Sequence, residues 1–401
     1  MSAPLDGLRI LDLTQYEAGT SATQMLAWLG ADVVKVEPPG IGDPGRGRSA
    51  VPTMDAPDRW YFLNLNGNKR SVTLNLKHPE GNALFLRLLP RFDAVVENFG
   101  PGTIESLGLG YEALKAIHPA MVFATLKGFG TYGPYAAYKS FDMVAQAMGG
   151  AMSLTGTRET EPLRAGVTWG DTGTGMHLAI GILSGYIHRL KTGEGQHVEV
   201  SMMDAIANYA RVGFLVRENV GDPVPRIGNN IPRLSPANVY ACKPFGPNDY
   251  VYVAALGRGM IENLVCAIGH PELADDPRVQ TAAARFENAE WFGGLIREWS
   301  AQRTKHEAMA ELQAHGVPTG ATFDSGDVFN DPHLKARGMV QVVKHPTRGE
   351  VEILGNPVIV DHEPTQLRAA PLLGEHTAEV LSAELGLSEA DVEALRAGGV
   401  V

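Results

Sequence analysis

Short apolar runs alternate with amphipathic stretches through the first half of the chain. Leu8 to Leu13 reads as a strand with Ile10, Leu11 and Leu13 buried. A loop from Thr14 to Gly19 leads into a helical pattern through Gln24, Met25 and Leu29, and Gly30 stands where a left-handed residue ends a helix. Val33 to Glu37 is the next strand, stopped by Pro38 and Pro39. This is one βαβ unit of roughly thirty residues. Residues 40–60 lack periodicity and read as a loop, and Asn64 to Arg70 reads as a polar turn. Strands follow at Ser71 to Leu76, Ala94 to Glu97, Met121 to Leu126 and His197 to Met202. Helices are predicted after His78, from Met176 to Leu190 and from Asp204 to about Glu218. The helix from Met176 to Leu190 is apolar on more than one stripe and is expected to be mostly buried.

Strands alternating with helices predict an α/β fold with a parallel sheet covered on both faces. Ligands on such sheets bind outside the carboxyl ends of the strands. Those ends carry Gln15 to Gly19, Asn98 to Gly102 and Lys127 to Gly130, so the site is expected there. A nucleotide site with Glu37 as its ribose acid is rejected, because the first turn lacks the Gly-x-Gly-x-x-Gly approach. Near 220 the pattern changes. Gly221 to Pro225 reads as a linker, Tyr250 to Val253 as a strand, and helical patterns run from Met260 to about Gly316. This marks a second, smaller domain.

Composition narrows the function classes. The 401 residues are 44% hydrophobic and 20% charged, enough for a sizeable core. A net charge of -11 argues against a nucleic-acid or anionic-membrane surface, so an anionic ligand needs a local basic patch. Two cysteines in apolar company, Cys242 and Cys266, fit a reducing cytoplasm. The first residues lack the basic and apolar regions of a signal peptide, and no apolar run is long enough to span a bilayer. No His/Asp/Glu cluster has metal-ligand spacing, and no Gly-x-Ser-x-Gly elbow marks a serine hydrolase.

The chemistry concentrates at Asp171, flanked by Gly170, Gly173 and Gly175 at the mouth of the apolar helix. Two readings are open. Asp is a favoured helix cap. A carboxylate can also attack an activated acyl group and form an anhydride. His177 and His188 on the following helix read as hydrogen-bonded core histidines.

The run Gly170 to His177, followed by Lys191 to Gln196, resembles the signature of the class III coenzyme A transferases, the formyl-CoA and carnitine-CoA transferase group. Further landmarks in order are Leu29 to Glu37, Asn68 to Ser71, Glu97 to Gly102 and Pro371 to Thr377, so the resemblance covers essentially the whole chain. It implies a Rossmann-like large domain made of residues 1–220 and 326–401, with a small α+β domain inserted at 225–325. It also implies an interlocked homodimer in the cytoplasm. The activity implied is CoA transfer from an acyl-CoA to a free carboxylic acid, small or dicarboxylic, with Asp171 as the acyl-accepting nucleophile. CoA esters would be substrates, with no permanently bound cofactor.

Other positions are carried over by the same resemblance. Glu17, Ala18, Leu74, Asn75, Leu76, Lys77, Asn98, Phe99, Gly100 and Lys139 are implied as CoA contacts. Glu17, Tyr61, Phe141, Asp142 and Gly228 are implied near the acyl group, Gly228 within the short glycine stretch Arg226 to Pro232. Tyr61 and Phe141 also admit plain core packing. Glu17 stands where formyl-CoA transferases carry glutamine. Ionised, it only accepts hydrogen bonds, so it is either protonated and donating or points elsewhere. Two alternatives accompany the transferase: a 2-methylacyl-CoA racemase-like enzyme, and an inactive acyl-CoA-binding protein. Phe141 occupies the place of a racemase histidine and cannot move a proton.

Overall fold

The computed structural model describes residues 3–47, 58–216, 219, 221–231 and 233–401. The chain divides into two compact units, one of Met1–Met152, Arg164–Val212 and His333–Val401, the other of Ser153–Leu163 and Gly213–Pro332. The inserted unit is thus wider than 225–325. Its boundary falls before the Gly221 to Pro225 stretch, and it takes in 153–163, which carries no composition signal.

The first unit is built on a six-stranded sheet: β1 (Arg9–Asp12), β2 (Asp32–Glu37), β3 (Arg70–Thr73), β4 (Ala94–Glu97), β5 (Val122–Lys127) and β6 (His197–Ser201). Its order is β3-β2-β1-β4-β5-β6, and every pair is parallel. Successive side chains enter opposite cores. Leu11, Val34, Val72, Val95 and Phe123 pack on one face. Ile10, Val33, Ala94, Val96 and Ala124 pack on the other. The order in which strands are added reverses between β1 and β4, and such sheets take ligands at that point.

Six helices matter to the site: α1 (Ala18–Trp28), α2 (Trp60–Leu65), α3 (Pro79–Leu88), α4 (Asp142–Met148), α5 (Thr174–Thr192) and α6 (Met202–Ala210). Gly30 after α1 is left-handed at φ +105°. The expected loop 40–60 holds a short helix, Pro44–Gly47, and ends in the first residue of α2; residues 48–57 lie outside the described residues. Asn64 likewise belongs to α2 and not to a turn, because Phe62 and Leu63 bury that segment in a satellite core with the hairpin β10 (Val340–His345) and β11 (Gly349–Leu354). The helix predicted from Asp204 to Glu218 is α6 followed by a tighter turn at Gly213–Val216; its expected last residues, 217 and 218, lie outside the described residues.

Helix α5 is one-sided. Leu178, Ala179 and Ile182 are buried, but Ile180, Ile187 and Leu190 are at least half exposed. In the second unit an antiparallel sheet of β7 (Ala237–Ala241), β8 (Tyr250–Ala254) and β9 (Thr319–Ala321) packs with helices on a core that includes Val251, Val253, Phe292 and Ile296. Among the described residues no helix is long and apolar enough to cross a membrane.

Candidate active site

The loops leaving β1 and β4 are tied together at the reversal point. Gln15 N–H donates to Asn98 Oδ1 at 2.8 Å, and Asn98 Nδ2 donates to the Gln15 carbonyl at 2.9 Å. Glu17 sits at the end of the β1 loop, one residue before α1. Asp171 faces this region from a single π-helical turn, Trp169–Gly173, that runs straight into α5. The Gly173 N–H reaches back to the Thr168 carbonyl at 3.3 Å, the wide bond that defines such a turn. Asp171 is therefore inside a helical segment and does not cap one.

The glycines serve close approach, not unusual backbone angles. A Cβ on Gly170 would lie 2.8 Å from the Asp142 carbonyl oxygen, and one on Gly173 would lie 3.1 Å from the Tyr209 ring. A Cβ on Gly175 would lie 2.2 Å from Ser21 Oγ and 2.5 Å from the Ala18 carbonyl oxygen of α1. Bare backbone thus lets α5 press against α1. Two further contacts fix the turn. Asp142 Oδ1 accepts from Gly170 N–H at 2.9 Å, and the Tyr209 hydroxyl donates to the Gly173 carbonyl.

The carboxyl groups around the turn differ in their partners. Asp142 is buried and also accepts from Gln146 Nε2 at 2.8 Å. Glu17 Oε1 accepts from the hydroxyls of Thr168 and Thr172, the latter at 2.7 Å, and its Oε2 accepts from Tyr61 Oη at 3.3 Å. Among the described residues no donor or cation pairs with the Asp171 carboxyl. Burial, then the charges of Glu17 and Asp142, push its pKa up to about 7. Burial, Glu17 and Asp171 likewise raise the Tyr61 hydroxyl.

These contacts revise several expectations. Glu17 points into the site and accepts hydrogen bonds there. Tyr61 and Phe141 are 40% and 63% exposed, so neither is core packing. His177 and His188 are only half-buried; the His177 ring lies 5.1 Å from Tyr209, and its Nε2 has no partner among the described residues. Leu74 is 1% exposed and packs in the core, so only its backbone can face a ligand. Ala18 is buried under the site, and Phe99 packs at the edge of the core. Asn75 Oδ1 accepts from the Lys77 N–H at 3.2 Å. Gly100, Lys77 and Lys139 are exposed, and neither lysine forms an ion pair among the described residues. Gly228 belongs to the second unit, where its N–H donates to the Gly156 carbonyl at 2.8 Å and its φ is +61°. Residues that sequence reasoning did not single out are Thr168, Thr172 and Tyr209; their hydroxyls carry no spacing signal.

Behind the β1 loop lies a buried ion cluster. Lys69 bonds Asp12 at 3.0 Å, Lys35 bonds Asp43 at 2.8 Å, and Arg46 bridges Glu37 and Asp58, each at 2.6 Å. Glu37, the acid considered for a ribose, is held in this cluster, where Ser71 also donates to it at 2.6 Å. Lys35 Nζ further donates to the Thr14 carbonyl at 2.6 Å, so the cluster sets the start of the loop that carries Glu17. Among the described residues no group of three His, Cys, Asp or Glu side chains is placed to hold a metal ion.

A parallel Rossmann-like sheet with a carboxylate turn at its reversal point is the frame on which the sequence comparisons fall. The profile of CoA-transferase family III matches residues 5–377, and the chain belongs to that family. It is 42% identical to the formyl-CoA:oxalate CoA-transferase of Streptomyces avermitilis, covering all of both chains, and 43% identical to that of Streptomyces coelicolor, covering 99% of each. The fold matches a CaiB/BaiF family protein from Brucella suis with a TM-score of 0.83 at 34% identity, over 96% of this chain and all of that one. It also matches Rv3272 from Mycobacterium tuberculosis with a TM-score of 0.79 at 28% identity, over 94% of this chain and 99% of the other.

Proposed function

We propose that this chain moves coenzyme A from an acyl-CoA to a small free carboxylic acid, with Asp171 as the nucleophile. One observation carries the reading: a carboxyl group that has no donor or cation among the described residues, partly buried beside two other carboxyls at the point where a parallel sheet takes its ligand. The family supports CoA transfer, and the relatives named for formyl-CoA and oxalate support a small acid.

The steps balance without any outside reagent. An Asp171 oxygen attacks the thioester carbonyl, the C–S bond breaks, and CoA leaves as thiolate. The thiolate attacks the aspartyl carbonyl of the resulting anhydride, releasing the donor acid and forming an aspartyl-CoA thioester. The acceptor carboxylate attacks that thioester and frees the thiolate again. The thiolate then takes the acceptor acyl group, and Asp171 leaves as carboxylate. Each addition develops an oxyanion, for which backbone N–H groups near the turn are the donors at hand. Lys77 and Lys139, exposed at the carboxyl edge of the sheet, fit CoA phosphates as point charges.

Attack requires ionised Asp171. The rate at low donor concentration is therefore expected to rise with pH and reach half its plateau near pH 7, the pKa to which burial and Glu17 push the group. A profile already flat from pH 5 to 8 would contradict this.

The exposed Ile180, Ile187 and Leu190 on α5, with Phe141 and Trp169 near the turn, support a homodimer that covers them. Sedimentation is expected to give twice the 43.0 kDa of one chain. A monomer at micromolar concentration would contradict the interlocked form. The two unpaired cysteines and the CoA-ester substrates support a cytoplasmic site of action.

The activity is tested by offering succinyl-CoA, acetyl-CoA and formyl-CoA, each against a panel of free acids, and following CoA esters by mass spectrometry. Transfer to one acid supports the reading and names the acceptor. Exchange of an α-proton in a 2-methylacyl-CoA, with no transfer, would favour the racemase-like alternative.

A further inference from the structure

The Glu17 carboxylate is held by three hydroxyls from two segments. Thr168 precedes the π-helical turn, Thr172 lies within it, and Tyr61 comes from α2; all three hydroxyls donate to it. An ionised carboxylate can only accept, and three donors meet it. Compensating charge is scarce. Among the described residues no Lys or Arg pairs with Glu17 or Asp171, and Asp142 has only the half-exposed Arg164, at 3.7 Å. The Tyr61 hydroxyl that donates to Glu17 is also acted on by the Asp171 charge, and Glu17 is the first charge acting on Asp171, so a group joined to the Asp171 carboxyl stands close to Glu17.

We infer that Glu17, fixed by Thr168, Thr172 and Tyr61, determines which acid the acyl site accepts: one with no second negative charge beside its reacting carboxylate. The inference rests on Asp171 as the nucleophile. A second carboxylate on the bound acid would face Glu17 across a partly buried space. Like charges about 6 Å apart in such a site repel enough to lower kcat/KM by roughly tenfold to a hundredfold. Oxalate, the acid in the relatives' names, is a dianion.

The test uses acids of matched shape that differ by one charge: oxamate against oxalate, and succinamate against succinate. The wild-type protein is expected to prefer the monoamide of each pair by about tenfold or more in kcat/KM, and more strongly for the shorter pair. Glu17→Gln keeps the shape and removes the charge; it is expected to erase the preference, chiefly through KM for the dicarboxylate. Glu17→Asp keeps the charge and is expected to keep the preference. Thr172→Val, which removes one of the donors, is expected to weaken it. Equal use of oxalate and oxamate by the wild type would overturn the inference. So would a ratio unchanged in Glu17→Gln. A protein that moves CoA to none of the four acids would contradict the transfer reading, not this one. Calorimetric titration of the four acids into the CoA-bound protein then decides the inference by the same ratios.

Discussion

Asp171→Ala is expected to lower CoA transfer by at least ~1000-fold while the circular dichroism spectrum stays that of the wild type. The size follows from the role. With no carboxylate on the turn there is no anhydride, and the acid and thioester must react directly. The neighbours do not replace it: Asp142 is buried and holds Gly170 N–H, and Glu17 is held by hydroxyls. Asp171→Asn is expected to fail equally, since an amide is a poor nucleophile. The same substitutions are expected to raise the melting temperature. The carboxyl has a folded pKa of about 7, above its unfolded value near 3.9. Ionisation then favours the unfolded chain, by nothing below about pH 4, by more as pH rises toward 7, and fully above it. The gain in Tm is thus expected to be larger at pH 8 than at pH 4. A variant that keeps transferring CoA, or that melts lower at pH 8, would contradict this account.

Lys69→Ala is expected to destabilise the large unit by roughly 3–5 kcal/mol, seen as a lower urea midpoint. Both Lys69 and Asp12 are buried. The lysine donates to Asp12 Oδ2 and to the Thr20 carbonyl, each at 3.0 Å, and to Thr23 Oγ1 at 2.8 Å. Burial lowers the lysine to about 8, against the pull of Asp12. Burial likewise raises Asp12, but Lys69 and Lys35 outweigh it and hold the carboxyl below its ordinary range. Deleting Lys69 leaves that carboxylate without its direct ion partner. The double variant Asp12→Asn with Lys69→Met is expected to be more stable than the single one, because no uncompensated charge is left. A single variant within about 1 kcal/mol of wild type would mean that water or a side chain replaces the lysine.

The sheet was legible because its strands are apolar on both faces and its helices are not. Ile10, Val33, Val95 and Ala124 announce buried strands whatever their neighbours do. The cluster behind them left only a faint trace: Asp12 and Lys35 are charges inside apolar runs, and a charge there needs a buried partner. Spacing could not say that Asp12 pairs with Lys69, 57 residues away. The glycines around Asp171 were legible as close approach but not as a π-helical turn, since a wide turn and a tight one draw on the same residues. Helix α5 reads as mostly buried because hydrophobicity alone does not tell the buried Leu178 and Ile182 from the exposed Ile180 and Leu190. The hydroxyls on Glu17 were silent, as Thr and Tyr are common everywhere and only folding brings Thr168, Thr172 and Tyr61 together. The inserted unit was placed by its linker-like Gly221 to Pro225, whereas contacts draw its edges at 213 and 332 and add 153–163.

The central claim is covalent, and it is tested most directly by mass spectrometry of the intact protein and its peptides after brief incubation with an acyl-CoA, with hydroxylamine added to one half. The account predicts a mass increase of CoA on the peptide carrying Asp171, replaced by a hydroxamate when hydroxylamine is present, and neither in Asp171→Ala. Transfer of CoA between acids with no adduct on that peptide, or with an adduct on Glu17 instead, would contradict it.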